Sequence, residues 1–129
     1  MTDRELLELA AKAAGFGGEH GTTWTESEYP KGSGKNGALW NYVGHGDTAK
    51  LWNPLSDDGD ALRLAVILRI EYIFVSDRKS IQCSFAEHTE MGDWETYLCD
   101  EPIGDDVQTS MRKALVRAAV EIGKRGEQK

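Results

Sequence analysis

The chain has 129 residues, 29% of them charged, and a net charge of −7. That is the length of one domain, enough to bury roughly 65–70% of the unfolded chain's surface without a metal or a disulfide. A membrane span and a secretion signal are both unexpected: the longest strongly apolar run is Leu64 to Leu68, and the opening MTDRELLELAAKAAG is charged at once.

Thr2-Asp3-Arg4-Glu5 has the form of a capping box, and Leu6, Leu7, Leu9, Ala10, Ala13 and Ala14 follow at helical spacing before Gly15. The spacing predicts a helix over 3–14. Residues 15–37 read as loop, with a short strand near Thr22 to Thr25 and Trp24 and Tyr29 as aromatic islands. KGSGKNG at 31–37 fails as a phosphate loop, because Gly34-Lys35 is followed by Asn36 and the required earlier glycine is Tyr29. Ala38 to Val43 alternates like a strand, and GHGD at 44–47 reads as a turn.

The stretch WNPLSDDGDALRLAVIL, Trp52 to Leu68, gathers three carboxylates and then turns apolar. A calcium loop with Gly59 at its sixth position would put Pro54 first and Ala65 twelfth, so that reading fails. Helix initiation fits instead. Asn53-Pro54 gives an extended entry, Asp57 an N-cap, and Asp58 and Asp60 a negative first turn. From Ala61 to Leu68 only Arg63 is polar, which predicts a helix buried on most sides with Arg63 at an exposed edge.

Ile70 to Val75, a polar turn at 76–79 and Ser80 to Ala86 read as a hairpin, with Ile81, Cys83 and Phe85 facing inward. A further strand is expected around Trp94 to Leu98. The last helix should begin near Asp105 or Asp106 and run to about Ile122, on the repeat of Val107, Met111, Ala114, Leu115, Ala118 and Ile122. The expected fold is α+β: a layered α/β sandwich, three helices packed on a mainly antiparallel sheet of three to five strands, in one domain over 1–129.

WNPLSDDGDALRLAV, with RKALVRAAVEIGKR near the C-terminus and the opening MTDRELLELAAKAAG, resembles the small bacteriophage proteins grouped as the phage ABA sandwich domain. The likeness covers both ends and the middle of the chain; 16–50 and 87–104 look particular to this protein. It implies helices layered about a β-sheet and a phage or prophage origin. It implies no reaction and no catalytic residue.

Two cysteines make no framework, so reduced thiols in a cytoplasmic protein are the plain reading, with one disulfide as the alternative. Cys83 with His88 is a weak nucleophile pair, since an inward thiol is disfavoured as thiolate; Cys99 beside Asp100 and Glu101 is weaker still. A zinc site from Cys83, Cys99, His88 and His20 or His45 lacks close ligand spacing. Glu90 with Asp93, or Glu87 with Glu90, could pair for acid–base work, but nothing apolar stands by to raise one pKa. No cofactor or metal is expected.

Charge is segregated. Between Ser80 and Met111 there is no lysine or arginine, while Glu87, Glu90, Asp93, Glu95, Asp100, Glu101, Asp105 and Asp106 fall there. Trp94 lies among them, and an aromatic ringed by like charges suits a protein-binding patch. Phosphates need basic groups, so nucleic acid is an unfit direct ligand and a host protein or nucleoprotein with a basic surface a better one. The expectation is a non-enzymatic phage accessory protein, in its most concrete form an inhibitor of a host defence complex of the anti-CRISPR kind. Its acidic segment would imitate a nucleic-acid backbone. One rival is a small enzyme or ligand- or metal-binding domain with a pocket between the sheet and the 16–50 loop, using the Asp57–Asp60 region, Asp57 and Asp58 above all, with His45 or Trp40. Another is a minor virion or assembly component, which predicts homo-oligomers such as a homodimer.

Overall fold

The computed structural model describes residues 1–17, 21–42 and 49–127, and at 42, 49, 86–89, 93–95, 126 and 127 the backbone alone. Three helices and six strands follow in the order α1 (Asp3–Ala13), β1 (Thr23–Glu28), β2 (Asn36–Tyr42), β3 (Ala49–Trp52), α2 (Asp58–Leu68), β4 (Ile70–Val75), β5 (Ser80–Thr89), β6 (Gly92–Pro102) and α3 (Val107–Glu127). The class is α+β, as expected. The strands form two antiparallel three-stranded sheets, β1-β2-β3 and β4-β5-β6.

Local chemistry sets the boundaries. Thr2 caps α1, its hydroxyl accepting from Glu5 N at 3.2 Å, and Gly15 at φ +78° takes the chain out of the helix. Every three or four residues α1 turns Leu7, Ala10 and Ala11 inward, all essentially without exposure. The helix α3 runs through the middle of the molecule. Ala114, Leu115, Val116, Ala118, Ala119 and Val120 are all buried on it, because sheet β4-β5-β6 packs on one side while α1 and α2 pack on the other. Small residues let α1 come close: a Cβ on Gly123 would sit 3.2 Å from that of Ala13. The sheet β1-β2-β3 joins this stack where β2 meets α1, with Leu39 fully buried.

Two expectations change. The segment 44–47 lies outside the described residues, and the chain beyond it forms a strand the pattern did not announce, β3, paired to β2 with Leu39 opposite Trp52 and Asn41 opposite Lys50. Second, α2 is not buried on most sides. Leu62, Val66 and Ile67 stand 58, 69 and 48% exposed beside Arg63. Only Asp60, Ala61, Leu64 and Ala65 of this helix are buried, since it packs on α3 and the first residues of β4 and nothing described covers its other side.

Candidate ligand-binding site

The entry to α2 organises the site. Asp57 is extended, at φ −128° and ψ 122°, and its carboxylate accepts from Asp60 N at 2.9 Å, so it is the expected N-cap. Asn53 is buried. Its Nδ2 donates to Gly37 O at 2.8 Å, and its Oδ1 accepts from Leu55 N at 2.8 Å. Asp58 turns to the other side of the helix and pairs with Arg112.

Asp60 is the centre. It is 3% exposed, and its carboxylate accepts from the Tyr29 hydroxyl at 2.7 Å, from Asn53 N at 3.0 Å and from Arg63 Nη2 at 2.7 Å. Burial, then the hydrogen bond to Asp60 and its charge, hold the Tyr29 phenol well above its usual range. Tyr29 is therefore a fixed proton donor, and Asp60, with three donors, is occupied as an anchor.

Above this anchor lies a cleft of about 460 Å³, walled by Phe16, Tyr29, Asn41, Lys50, Trp52 and Arg63. That volume is within the usual range for small-ligand sites. Phe16 meets Trp52 edge to face, centroids 5.0 Å apart at 89°. The Asn41 Oδ1 accepts from Gly17 N at 3.2 Å, so what Asn41 can offer a ligand is its NH₂. The turn that brings Gly17 there needs glycine: φ is +83°, and a Cβ would fall 2.3 Å from the Gly21 backbone. Trp52 is 5% exposed and its indole N–H is buried without a partner among the described residues, a state that native interiors rarely leave unanswered. The cleft thus sets Lys50, Arg63 and the Asn41 amide against aromatic walls, over the Asp60 carboxylate.

Of the residues expected for a pocket, Asp57 caps the helix, Asp58 is spent on Arg112, Trp40 is half-buried outside the cleft lining, and His45 lies outside the described residues. Asp60 falls in the Asp57–Asp60 region of the rival reading; Tyr29, Asn41, Lys50 and Arg63 were missed. Asn41 and Lys50 face each other across β2–β3, which an alternation reading recovers only once β3 is recognised. Asp60 and Arg63 carry the i, i+3 spacing of a helical ion pair, the one signal present.

The acidic set divides into two groups. The side chains of Glu87, Asp93, Trp94 and Glu95 lie outside the described residues; their backbones pair at the far end of the β5–β6 hairpin, beside the exposed Glu90. Asp100, Glu101, Asp105 and Asp106 lie five or more residues beyond Glu95, and Asp93 to Glu101 spans about 26 Å of extended strand. Glu101 corrects the expectation of a surface contact. It is 5% exposed and paired with Arg117 and, at 3.6 Å, Lys113. Asp100 points to the opposite face, 3.7 Å from Arg78. Asp106 caps α3, accepting from Gln108 N at 3.1 Å and the Thr109 hydroxyl at 2.5 Å; Asp105 is exposed. Local arginines and helix ends therefore use up most of the second group.

Cys83 sits directly opposite Cys99 in the β5–β6 register, both buried and unbridged. A hydrogen bond to Cys99, then burial, raises the Cys83 thiol far above its ordinary pKa. Cys83 and His88 lie five residues apart on one strand, about 16 Å; the His88 and His20 side chains lie outside the described residues. Among the described residues no group of three or more His, Cys, Asp or Glu gathers as a metal would require, and no helix is long and apolar enough to cross a membrane. No protein-family model, no curated protein and no solved structure matches the chain.

Proposed function

We propose that this protein is a binding module whose ligand occupies the cleft over Asp60, and that the ligand is a small molecule with a flat ring and an anionic group. The cleft itself, whose walls set Phe16 and Trp52 beside Lys50 and Arg63, is the observation that carries the reading. A ring fits Phe16 and Trp52 by edge or face contact. An acceptor answers the Asn41 NH₂, and negative charge suits Lys50 and Arg63. Binding without turnover is favoured because the buried carboxylate at the cleft, Asp60, already accepts three hydrogen bonds and is unavailable as a base.

The test is a titration with nucleoside 5′-monophosphates and aryl carboxylates, followed by the indole N–H resonances in ¹⁵N-labelled protein. A saturable shift of the Trp52 signal is expected, with affinity falling about tenfold in Lys50→Gln, the loss of one charge-assisted contact. A Trp52 resonance that moves with no member of either class overturns the reading.

A second reading has support at the hairpin tip. Glu90 and Met91 are exposed there, Met91 at 87%, on a segment that carries Glu87, Asp93 and Glu95 and no lysine or arginine. In that reading the tip engages a basic host protein or nucleoprotein, as an inhibitor of a phage-defence complex would. Reversing Glu90, Asp93 and Glu95 together to lysine should abolish capture of such a partner and leave the melting temperature unchanged. Undiminished capture removes this reading.

A further inference from the structure

The chain has two cysteines, and the fold sets them face to face. They lie on the side of sheet β4-β5-β6 that meets α3, where the Cys83 thiol donates to Cys99 and the Cys99 thiol to Ala114 O at 3.6 Å. Directly opposed residues of an antiparallel pair have Cα atoms about 4.5 or 5.5 Å apart, inside the range of roughly 4.4–6.8 Å that a disulfide spans. Their Cβ atoms stand about 4.5–5.5 Å apart and must close to about 3.5–4.5 Å. The ladder is interrupted at this point, which eases that closure: Leu98 is an extra residue between the Cys83–Cys99 and Ser84–Tyr97 pairs.

The two thiols are not equivalent. Cys83 is fully buried, while Cys99, 7% exposed, belongs to the wall of a cleft of about 440 Å³ between β6 and α3, with Tyr97, Leu98, Arg117 and Val120. Its acidic sequence neighbours do not make Cys99 the poorer thiolate, as the sequence led us to expect. Asp100 turns to Arg78 on the other face, and the Glu101 charge is met by Arg117 and Lys113. The hydrogen bond from Cys83 holds the Cys99 thiol below its ordinary value against burial, and the Arg117 guanidinium adds to this.

We infer that Cys99 is a site of reversible oxidation by hydrogen peroxide or a comparably small hydroperoxide entering through this cleft, and that Cys83 resolves it as a cross-strand disulfide. The Cys99 thiolate attacks one peroxide oxygen, the O–O bond breaks, hydroxide leaves, and Cys99 becomes a sulfenic acid. The Cys83 sulfur then attacks the Cys99 sulfur. The S–O bond breaks, the departing hydroxide takes the Cys83 proton, and water leaves. In sum the two thiols give up two electrons and two protons, and one hydrogen peroxide becomes two waters. A thiol reductant reopens the bridge by exchange. Bridging draws the Cys99 sulfur toward β5 and away from Ala114 O, so α3 loses that contact when the pair is oxidised. The inference stands apart from the cleft over Asp60, which neither cysteine lines.

Intact-mass spectrometry tests it. The reduced native protein is treated with hydrogen peroxide, quenched, unfolded and alkylated with N-ethylmaleimide. The single chain should lose two hydrogens and take up no maleimide; after dithiothreitol it should take up two. In Cys83→Ala the Cys99 sulfenic acid has no resolving thiol, so it should accumulate and be trapped by dimedone. Cys99→Ala should stay unlabelled, since Cys83 is fully buried. Cys83→Ser and Cys99→Ser replace the alanine variants if circular dichroism shows either to be misfolded. Two free thiols on the peroxide-treated parent overturn the inference, as does oxygen added at Cys99 without a bridge. So does a bridge that forms between chains or only in urea, or dimedone labelling of Cys99→Ala as extensive as that of Cys83→Ala.

Discussion

Tyr29 and Asp60, 31 residues apart in the chain, are joined hydroxyl to carboxylate at 2.7 Å, and this bond ties the loop after β1 to the first turn of α2. Tyr29→Phe removes one donor of three and should cost about 1–2 kcal/mol. Asp60→Ala strands the Tyr29 hydroxyl and Asn53 N together and should cost about 3 kcal/mol or more, the exposed Arg63 adding little. Urea denaturation of both variants orders them. A Tyr29→Phe loss as large as that of Asp60→Ala would move the anchor from the carboxylate to the packing of the ring.

Arg112 is 6% exposed on α3 and reaches the α2 entry, donating to Leu55 O at 3.0 Å, to Asp58, and to the Thr109 hydroxyl at 3.0 Å. Three acceptors in one plane suit a guanidinium and not an ammonium. Arg112→Ala should cost about 3 kcal/mol, through the half-buried Leu55 carbonyl it leaves unpaired and the space left behind. Arg112→Lys should recover less than half of that. Full recovery by lysine, in the same denaturation experiment, would show that charge alone matters there.

Asp106 holds the start of α3, and its bonds to the Thr109 hydroxyl and to the backbone of Gln108 and Thr109 lower its carboxyl below the ordinary value. A carboxyl lowered by folding stabilises the native state fully above the unfolded pKa, about 3.9. That contribution disappears as pH falls through the lower native value. Asp106→Asn keeps the cap and has no proton to take up. Its melting temperature should run parallel to and somewhat below the parent's above pH 5, and fall less steeply below pH 4 so that the two curves converge. Parallel curves over the whole range would assign the acid limb to other carboxylates.

Legibility followed distance along the chain. Thr2, Asp57 and Gly15 act on neighbours within a few residues, and each does in the fold what its pattern announces. The inward Cys83 with Ile81 came from strand alternation in the same way. Asp60 reads as a helix-start acid because its burial depends on Tyr29 and on a strand too short to stand out. The acidic segment looked continuous because counting charges ignores pleat: Asp100 and Glu101 are neighbours in sequence and lie on opposite faces. Arg117, 16 residues later, returns to Glu101 only because α3 lies back along β6. Leu62, Val66 and Ile67 show the converse error, since an apolar helix is buried only where something is there to cover it.

The two sheets share no strand, so no ladder of backbone hydrogen bonds fixes their mutual tilt; side-chain contact through the helices does. Packed helices slide by small increments more readily than paired strands separate. The cleft has one jaw on β2 and β3 and the other on α2, so apart from the bonds Asp60 accepts from Tyr29 and Asn53 its aperture is set by interdigitating methyl and methylene groups. Trimming a contact such as Leu39 against the helical layer would loosen the hinge between the jaws without touching any residue that lines them.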